Sequence, residues 1–489
     1  MSLQLELSDL NRLEKIQTAL ERNDPRKQFA PLGMHQLTIA DDAVDDLVAA
    51  VKRQLARVGR TSGRESRIGL IADTVSIMRA GRNLKDLVFD QLAERFTVQR
   101  ITLSDGHPAL HADEKMLDRA SAEAAGLDCI VSVGGGTITD IAKIAAMRTS
   151  TPVHVVVQTA ASVDGFTDNF SVVLQNGVKR TLLTRWPDAV LTDCRTIAEA
   201  PHALNASGLG ELLSMYCAPG DWFLASKCGM DASFTPTLVE LLSLCGDGVQ
   251  EWSVDVGQGH IAGFRRLASA LAMRGIVTGV GGTSASLSGM EHLISHMLDI
   301  HSAETGDATG LHGAQVGVAS VISAAAWEVF CERMTEAPLD PSRLFGDDGA
   351  WEDRVKAAFA ELDGSGRVGA QCWTHYRQKL MTWGDNRHAV AAFLKDWPAI
   401  RDQRNELVLS SHAIAACLRQ ARAPMRFSDL QPAVSADLLR WAVANCQFMR
   451  ERFTVADLLT FAGWWDEDGV TRVLERAQAA CAAAAAAKP

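Results

Sequence analysis

Apolar residues recur at two different spacings along the chain. Over residues 1–66 they recur every three to four positions in LSDLNRLEKIQTALERN and in IADDAVDDLVAAVKRQLARVG, which predicts amphipathic helices. We therefore expect residues 1–66 to form a helical N-terminal extension. Nothing in this stretch suggests chemistry, so its expected role is packing or an interface.

Between residues 67 and 200, short apolar runs alternate with helical patterns. RIGLIAD, TVQRITL, DCIVSV and PVHVVVQT predict strands, and LKDLVFDQLAERF, LHADEKMLDRASAEAAG and TDIAKIAAM predict helices between them. This alternation predicts a doubly wound, mostly parallel sheet, so residues 67–200 are expected to be an α/β nucleotide-binding domain. FSVVL and DAVLTD predict further strands, and the turn at QNG (175–177) indicates a hairpin.

Past Pro201 the strand signals fade, and helical patterns run to the C-terminus. Residues 201–489 are therefore expected to form an all-α domain, and the candidate metal-binding and catalytic residues described below assign it the metal site. The most apolar window, GAQVGVASVISAAAWEVF, contains Gln315, Glu328 and many small residues, which favours a buried helix over a membrane span.

Composition narrows the class of protein. A chain of 489 residues, 47% hydrophobic and 22% charged, is long enough for at least two globular domains. Its net charge of −11 argues against a nucleic-acid partner. Ten scattered cysteines without a CxxC pair, and an N-terminus without a signal-peptide pattern, predict a cytoplasmic protein with reduced thiols.

Three glycines, Gly134, Gly135 and Gly136, separate the predicted strand CIVSV from a helix expected to start between Thr137 and Thr139. Glycines let a backbone approach a pyrophosphate closely, and a helix N-terminus offers free N–H groups. The sequence therefore predicts a dinucleotide cradle. The spacing is not GxGxxG, so a tight turn without a ligand stays open as an alternative.

Asp73 ends the first of these strands, where an acid can bind an adenosine ribose hydroxyl and repel a 2′-phosphate. It therefore favours NAD over NADP. A solvated acid at a strand end is the simpler alternative.

Histidines cluster in GMEHLISHMLDIHSAETGDATGLHG. His292 and His296 are four residues apart and share a helix face, and His312 follows in a loop bracketed by glycines. Upstream, Glu211 lies in the apolar segment SGLGELLSMY, where an unpaired carboxylate is costly to bury. One carboxylate and two imidazoles are a common set for a divalent metal with an open position. Both helical histidines could ligate, or one could handle protons; structural histidines and a buried arginine partner for Glu211 are the alternatives.

Several motifs together resemble sn-glycerol-1-phosphate dehydrogenases, which belong to the superfamily of iron-containing alcohol dehydrogenases and dehydroquinate synthases. The motifs are GGGTITD, ASVDGFTDNFS, NGVKRT, SGLGELLSMY, SGMEHLISH and LHGAQVGV, and RERFTVADLL is similar to that family's final helices. The resemblance covers residues 65–330 well. It implies a dehydroquinate synthase-like fold, an α/β domain followed by an all-α domain.

The resemblance also implies roles for individual residues. It implies a divalent metal held by Glu211, His292 and His312, with Zn²⁺ first and Fe²⁺ or Ni²⁺ as alternatives. His296, Asp164 and Lys179 match catalytic or substrate-region residues. The residues that match nucleotide contacts are Asp73 for the ribose, Gly134, Gly135, Gly136, Thr137 and Asp140 for the pyrophosphate, and Thr159 after the fourth strand.

The sequence departs from this family at two informative positions. Glu211 stands where glycerol-1-phosphate enzymes usually have Asp, and dehydroquinate synthases have Glu. Met215 replaces a lysine, which puts recognition of a phosphate in doubt. The N-terminal extension and residues 330–489 are also larger than expected.

The leading hypothesis is a homo-oligomeric, metal-dependent NAD(P)H oxidoreductase that interconverts a small ketone or aldehyde and an alcohol. The pair could be dihydroxyacetone phosphate and sn-glycerol 1-phosphate. One alternative is a dehydroquinate-synthase-like cyclase that recycles NAD and eliminates phosphate. Another is a catalytically silent nucleotide-binding scaffold.

Overall fold

The computed structural model describes residues 5–107, 110–175, 178–341, 344 and 349–487, without the side chains of residues 7, 8, 178 and 179. The chain forms two compact units. Unit 1 comprises Met1–Gly208 and Thr237–Gly282, and unit 2 comprises Leu209–Pro236 and Thr283–Pro489.

All strands of the described residues lie in unit 1. They are β1 (Gln36–Ala40), β2 (Arg67–Ala72), β3 (Met78–Arg79), β4 (Arg82–Asn83), β5 (Thr97–Thr102), β6 (Cys129–Gly134), β7 (Val153–Gln158), β8 (Phe170–Gln175), β9 (Val178–Leu183) and β10 (Ala189–Asp193).

Helices occur in both units. They are α1 (Leu13–Arg22), α2 (Leu47–Arg57), α3 (Leu84–Ala93), α4 (Glu114–Glu123), α5 (Gly136–Arg148), α6 (Cys194–Glu199), α7 (His202–Leu213), α8 (Ala218–Lys227), α9 (Pro236–Gly246), α10 (Val249–Gln258), α11 (Ile261–Gly281), α12 (Met290–Thr305), α13 (His312–Glu336), α14 (Trp351–Ala358), α15 (Arg367–Asp385), α16 (Arg387–Lys395), α17 (Trp397–Asn405), α18 (Ser411–Gln420), α19 (Ala436–Asn445), α20 (Val455–Phe461) and α21 (Glu467–Ala486).

Unit 1 is built on a six-stranded parallel sheet with the order β1-β10-β7-β6-β2-β5. Successive side chains of a strand point to opposite faces, and here both faces are covered. Residues of β6 and β7 pack on α2 and α3 on one face, and residues of β5 and β6 pack on α4 and α5 on the other. Both β6 and β7 are buried throughout, as expected for central strands of a doubly wound sheet. The predicted fold class is confirmed.

The described residues of unit 2 form helices joined by loops, without a strand, and α13 is the central element. By length and composition α13 is the one described helix that could cross a membrane, with a mean hydropathy of 1.4 over its apolar window. Inside the protein, 89% of that window is buried. The helix packs against α12, α18, α20 and α21, so its apolar surface forms the core of the unit.

The structure groups residues differently from the predicted domain boundaries. Strand β1 lies in the stretch expected to be wholly helical, and it pairs in parallel with β10. Only two of its five residues are buried because it forms the sheet edge, so its apolar signal is weak beside the flanking helical patterns. Residues Thr237–Gly282, expected in the helical domain, belong to unit 1, where α11 packs on α6 and β1.

The predicted hairpin has β9 as its second strand. Strands β8 and β9 pair antiparallel, with Gln175 opposite Val178. The rest of the predicted turn, residues 176–177, lies outside the described residues. DAVLTD instead supplies β10 of the main sheet.

All ten cysteines lie in the described part of the chain, and all are free thiols.

Candidate functional site

Three residues predicted as metal ligands come together inside unit 2. One donor atom from each of Glu211, His292 and His312 lies within 4.8 Å of the others. The Nε2 atoms of His292 and His312 are 3.3 Å and 3.7 Å from the two carboxylate oxygens of Glu211. The carboxylate and the His292 ring are buried, and His312 is half-buried. The group therefore has the nitrogen and oxygen donors of a divalent-metal site, and its side at His312 is the more accessible one.

Glycines bring two of these residues together. Glu211 lies in the last turn of α7, and His312 is the first residue of α13. A Cβ added at Gly210 would lie 2.2 Å from the carbonyl oxygen of Gly313, and one added at Gly317 would lie 2.6 Å from the Cα of Gly210. The two helix backbones can approach this closely only because these positions lack side chains.

Hydrogen bonds fix how both histidine rings are oriented. The Nδ1 of His292 is 3.0 Å from Oε1 of Glu291, and the Nδ1 of His312 is 3.2 Å from Oγ of Ser295. The Ser295 hydroxyl donates to Oε1 of Gln315 at 2.9 Å, so it must accept from His312. The amide nitrogen of Gln315 donates to the Gly310 carbonyl, which fixes the direction of this chain. The Nδ1 of His312 therefore carries a hydrogen, and the Nδ1 of His292 donates to Glu291. Both rings turn Nε2 toward Glu211, where a bound cation would take the Nε2 lone pairs.

The electrostatics of the cluster favour a cation. Burial lowers the pKa of His292, but the carboxylates of Glu211 and Glu291 outweigh this effect and raise the pKa to about 9. A positive charge is therefore favoured between the His292 ring and the Glu211 carboxylate. Neutral rings and a carboxylate around a divalent cation meet the same demand, so the donor set fits Zn²⁺, and also Fe²⁺ or Ni²⁺.

His296 lies beside this cluster without joining the three-donor group. Its ring is 6.1 Å from that of His292 and 5.7 Å from that of His312, and its Nδ1 is 3.4 Å from Oδ2 of Asp299. Burial and the nearby charge of Arg450 lower the pKa of His296 to about 3, although Asp299 acts in the opposite direction. The ring is therefore neutral and offers Nε2 for a hydrogen bond.

In unit 1, the predicted nucleotide contacts gather at one edge of the sheet. Gly134 ends β6, Gly135 precedes α5, and Gly136 and Thr137 lie in its first turn. The neighbouring strands β2 and β7 end at Ala72 and Gln158, so Asp73 and Thr159 follow at the same carboxyl edge. No described atom lies within 4 Å of a Cβ added at Gly135. A helix N-terminus at this edge of a doubly wound sheet fits a pyrophosphate.

Asp73 has a partner that the sequence reasoning missed. The ammonium of Lys85 donates to Oδ1 of Asp73 at 2.5 Å and to its backbone carbonyl at 2.7 Å, and Lys85 is buried. The Lys85 charge offsets that of Asp73. The sequence gives no signal for such a pair, because Lys85 lies twelve positions from Asp73 and is expected to be a surface residue of α3.

Asp140 lies one turn into α5 and is half-buried. Burial and the charge of Asp168 raise the pKa of Asp140 to about 7, while Lys143 acts in the opposite direction. Lys143 itself is fully buried and donates to Oδ1 of Asp168 at 2.6 Å. A contact between Asp140 and a pyrophosphate stays a prediction.

The remaining candidates in unit 1 are Asp164 and Lys179. Oδ2 of Asp164 accepts a hydrogen bond of 3.1 Å from Nε of Arg274, a residue of α11 with 1% exposure. Sequence reasoning missed Arg274, since 110 positions separate the partners. Lys179 lies in β9, and its side chain is outside the described residues.

Comparison with known proteins agrees with the fold. Residues 48–201 match the family model of iron-containing alcohol dehydrogenases. A glycerol-1-phosphate dehydrogenase [NAD(P)+] of Haloquadratum walsbyi is 33% identical over 261 residues, which cover 53% of this chain and 68% of the relative. The chain belongs to the glycerol-1-phosphate dehydrogenase family. Another member, from Geobacillus thermodenitrificans, is 28% identical over 327 residues, covering 66% of this chain and 76% of the relative.

Solved structures support the fold of this family. Glycerol dehydrogenase from Schizosaccharomyces pombe superposes with a TM-score of 0.55 at 15% identity, covering 90% of each chain. A probable glycerol dehydrogenase from Sinorhizobium meliloti gives 0.54 at 17% identity, covering 94% of this chain and all of that one. The resemblance stated from the sequence motifs is confirmed.

Proposed function

We propose that this chain is an NAD(P)-dependent, metal-dependent alcohol dehydrogenase that interconverts a small ketone or aldehyde and the corresponding alcohol. The observation that carries the proposal is the group formed by Glu211, His292 and His312, two of them buried and one half-buried, in a chain of the glycerol-1-phosphate dehydrogenase family. The names of the relatives make dihydroxyacetone phosphate and sn-glycerol 1-phosphate the first substrate pair.

Each residue has a distinct part in this proposal. Glu211, His292 and His312 hold a divalent cation, and the turn at Gly134–Gly136 with Asp73 and Thr159 holds NAD(P). When bound, the cation supplies Lewis-acid polarisation of a carbonyl oxygen, and the nucleotide supplies or accepts the hydride. The protein's task is then to orient the carbonyl carbon and to keep water away.

The proton passes through His296 or through a water held by Asp164. His296 is neutral because burial depresses its pKa, so it orients the substrate hydroxyl by a hydrogen bond and does not store a proton at neutral pH. Arg274 holds the Asp164 carboxylate in one orientation. Lys179 is proposed to contribute a positive charge to the substrate region.

Whether the substrate carries a phosphate is a separate part of the proposal. Met215, where the family's lysine is expected, is 5% exposed and carries no charge. Arg450, on the C-terminal segment of the same unit, lowers the pKa of His296 by its charge. We propose that Arg450, whose charge acts at His296, binds the phosphate in place of the family's lysine. A panel of ketones with and without phosphate, read by NADH absorbance, tests this choice directly.

The Glu211→Gln variant tests the function itself. The amide keeps the size of the side chain but removes the anionic ligand, so we expect metal affinity to fall at least about 100-fold and turnover to be lost. NADH binding, measured by fluorescence titration, should stay unchanged. Turnover by metal-free parent protein, or full activity of the variant, would contradict the proposal.

A cyclase similar to dehydroquinate synthases is the second candidate, because Glu211 matches that group better than glycerol-1-phosphate dehydrogenases. The named relatives are dehydrogenases, which favours the first candidate. Net NADH consumption separates the two, since a cyclase regenerates its nucleotide. A silent scaffold would show neither bound metal nor redox activity.

Four finer points complete the proposal. We propose Zn²⁺ as the metal, with Fe²⁺ and Ni²⁺ as alternatives to be separated by metal analysis. Asp73 favours NAD over NADP, although Lys85 offsets its charge. We also propose a cytoplasmic homo-oligomer, to be tested by light scattering and fractionation.

A further inference from the structure

Glu291, next to the ligand His292 in sequence, is a completely buried carboxylate outside the three-donor group. It lies in the first turn of α12, and its Oε1 accepts from the backbone N–H of Gly289 at 2.7 Å and lies 3.0 Å from Nδ1 of His292. Its Oε2 is buried without a hydrogen-bond partner among the described residues. Burying such a charge is costly unless a positive charge opposes it.

The start of α12 already has another buried carboxylate as a hydrogen-bond acceptor. Asp221 already accepts the backbone N–H of Met290 at 2.9 Å, and its other oxygen accepts that of Val455 at 3.0 Å. A second buried acid at the same place repels the first: burial and the charge of Glu291 raise the pKa of Asp221 to about 8. Helix capping alone therefore does not explain why Glu291 is acidic.

The nearby cation Arg452 makes its hydrogen bonds to groups other than the Glu291 carboxylate. Arg452, which precedes α20, donates to the carbonyl of Ser288 and to Oγ of Ser284. Its charge acts on Glu291, but these two hydrogen bonds go to the loop before α12. Among the ionisable side chains that the structure describes, the His292 ring is the one in direct contact with the Glu291 carboxylate, and its other nitrogen faces Glu211.

We propose that Glu291 is a positioning residue for the metal centre, acting through His292. It accepts the Nδ1 hydrogen of the ring, keeps the Nε2 lone pair directed at the cation, and makes the imidazole a stronger ligand through its negative charge. Glu211 and Glu291 together balance the two positive charges of a divalent cation. This inference rests on the proposed function, since it assumes that the three-donor group holds a metal.

Glu291→Gln tests the charge while keeping the length of the side chain and an oxygen acceptor. Zn²⁺ affinity of the metal-free full chain is measured by competition with a chromophoric chelator, without nucleotide or substrate. We expect the Zn²⁺ dissociation constant to rise about 10–100-fold. Glu291→Asp keeps the charge but withdraws the oxygen from His292, so it should also weaken binding and serves if the glutamine variant does not fold.

Asp221→Asn is the matched control, because Asp221 binds the same helix start without contacting His292. It should leave the Zn²⁺ dissociation constant within about threefold, whatever its effect on the melting temperature. Parent-like Zn²⁺ affinity in the Glu291 variants overturns the inference alone, as does an equal loss in Asp221→Asn. A parent protein that binds no divalent metal overturns both this inference and the proposed function.

Discussion

Replacing Gly210 by alanine puts a methyl group where α7 and α13 touch. The added Cβ would lie 2.2 Å from the carbonyl oxygen of Gly313 and 3.2 Å from the Cα of Gly317. Carbon needs about 3.5 Å to a neighbouring heavy atom, so the two backbones must separate by about 1 Å. In a helix without such a contact, the same change would stabilise by about 1 kcal/mol.

The separation acts on both stability and metal binding. Overpacking of this kind costs about 1–3 kcal/mol, which outweighs the gain in helix propensity and lowers the free energy of unfolding. Glu211 and His312 lie on the two helices that must separate, and metal–ligand distances tolerate only about 0.2 Å. We therefore expect Gly210→Ala to unfold at lower urea and to bind Zn²⁺ at least about tenfold more weakly.

Gly384→Ala is the matched control for this experiment. Gly384 lies in α15 of the same unit, and no described atom is within 4 Å of a Cβ added there. It should be neutral or stabilising by up to about 1 kcal/mol, with parent-like Zn²⁺ affinity. If Gly210→Ala showed the unfolding midpoint and the Zn²⁺ affinity of the parent, the close approach of the two helices would not be what assembles the ligands.

Three further variants test separate parts of the site. His296→Ala should lower kcat/KM about 100-fold or more while Zn²⁺ affinity stays within about threefold, and a large loss of affinity would instead make His296 a ligand. Lys85→Met removes the charge that offsets Asp73, so KM should rise more for NADP(H) than for NAD(H), and an equal rise would refute the ribose contact. The pKa of Asp140 is raised to about 7 from its ordinary value of 3.8, so the Asp140 carboxyl binds a proton more tightly in the folded chain than in the unfolded chain. The contribution of Asp140 to the free energy of unfolding therefore falls as the pH rises from about 4 to about 7. Asp140→Asn should flatten that part of the urea-unfolding profile, and an unchanged slope would show that Asp140 does not titrate in this range.

Local sequence patterns carried most of the information about unit 1. Continuous apolar runs predicted the central strands, because strands buried on both faces need apolar residues at every position. Glycines after the third predicted strand marked the turn before α5, where a Cβ added at Gly134 would lie 2.8 Å from the side chain of Ile138. Strand β1 was not predicted, because its two buried residues at the sheet edge give too weak an alternating pattern beside the neighbouring helical patterns.

Tertiary structure decided which distant residues meet. The spacing of His292 and His296 placed both on one face of a helix, but only the packing of α7, α12 and α13 made His312, and not His296, the third member of the donor group. The partners Lys85, Arg274 and Glu291 could not be assigned from the sequence, because the identity of a charged residue does not say which opposite charge or ring it will contact. Sequence fixes the chemistry that each residue can offer, whereas burial and long-range packing decide where that chemistry is used.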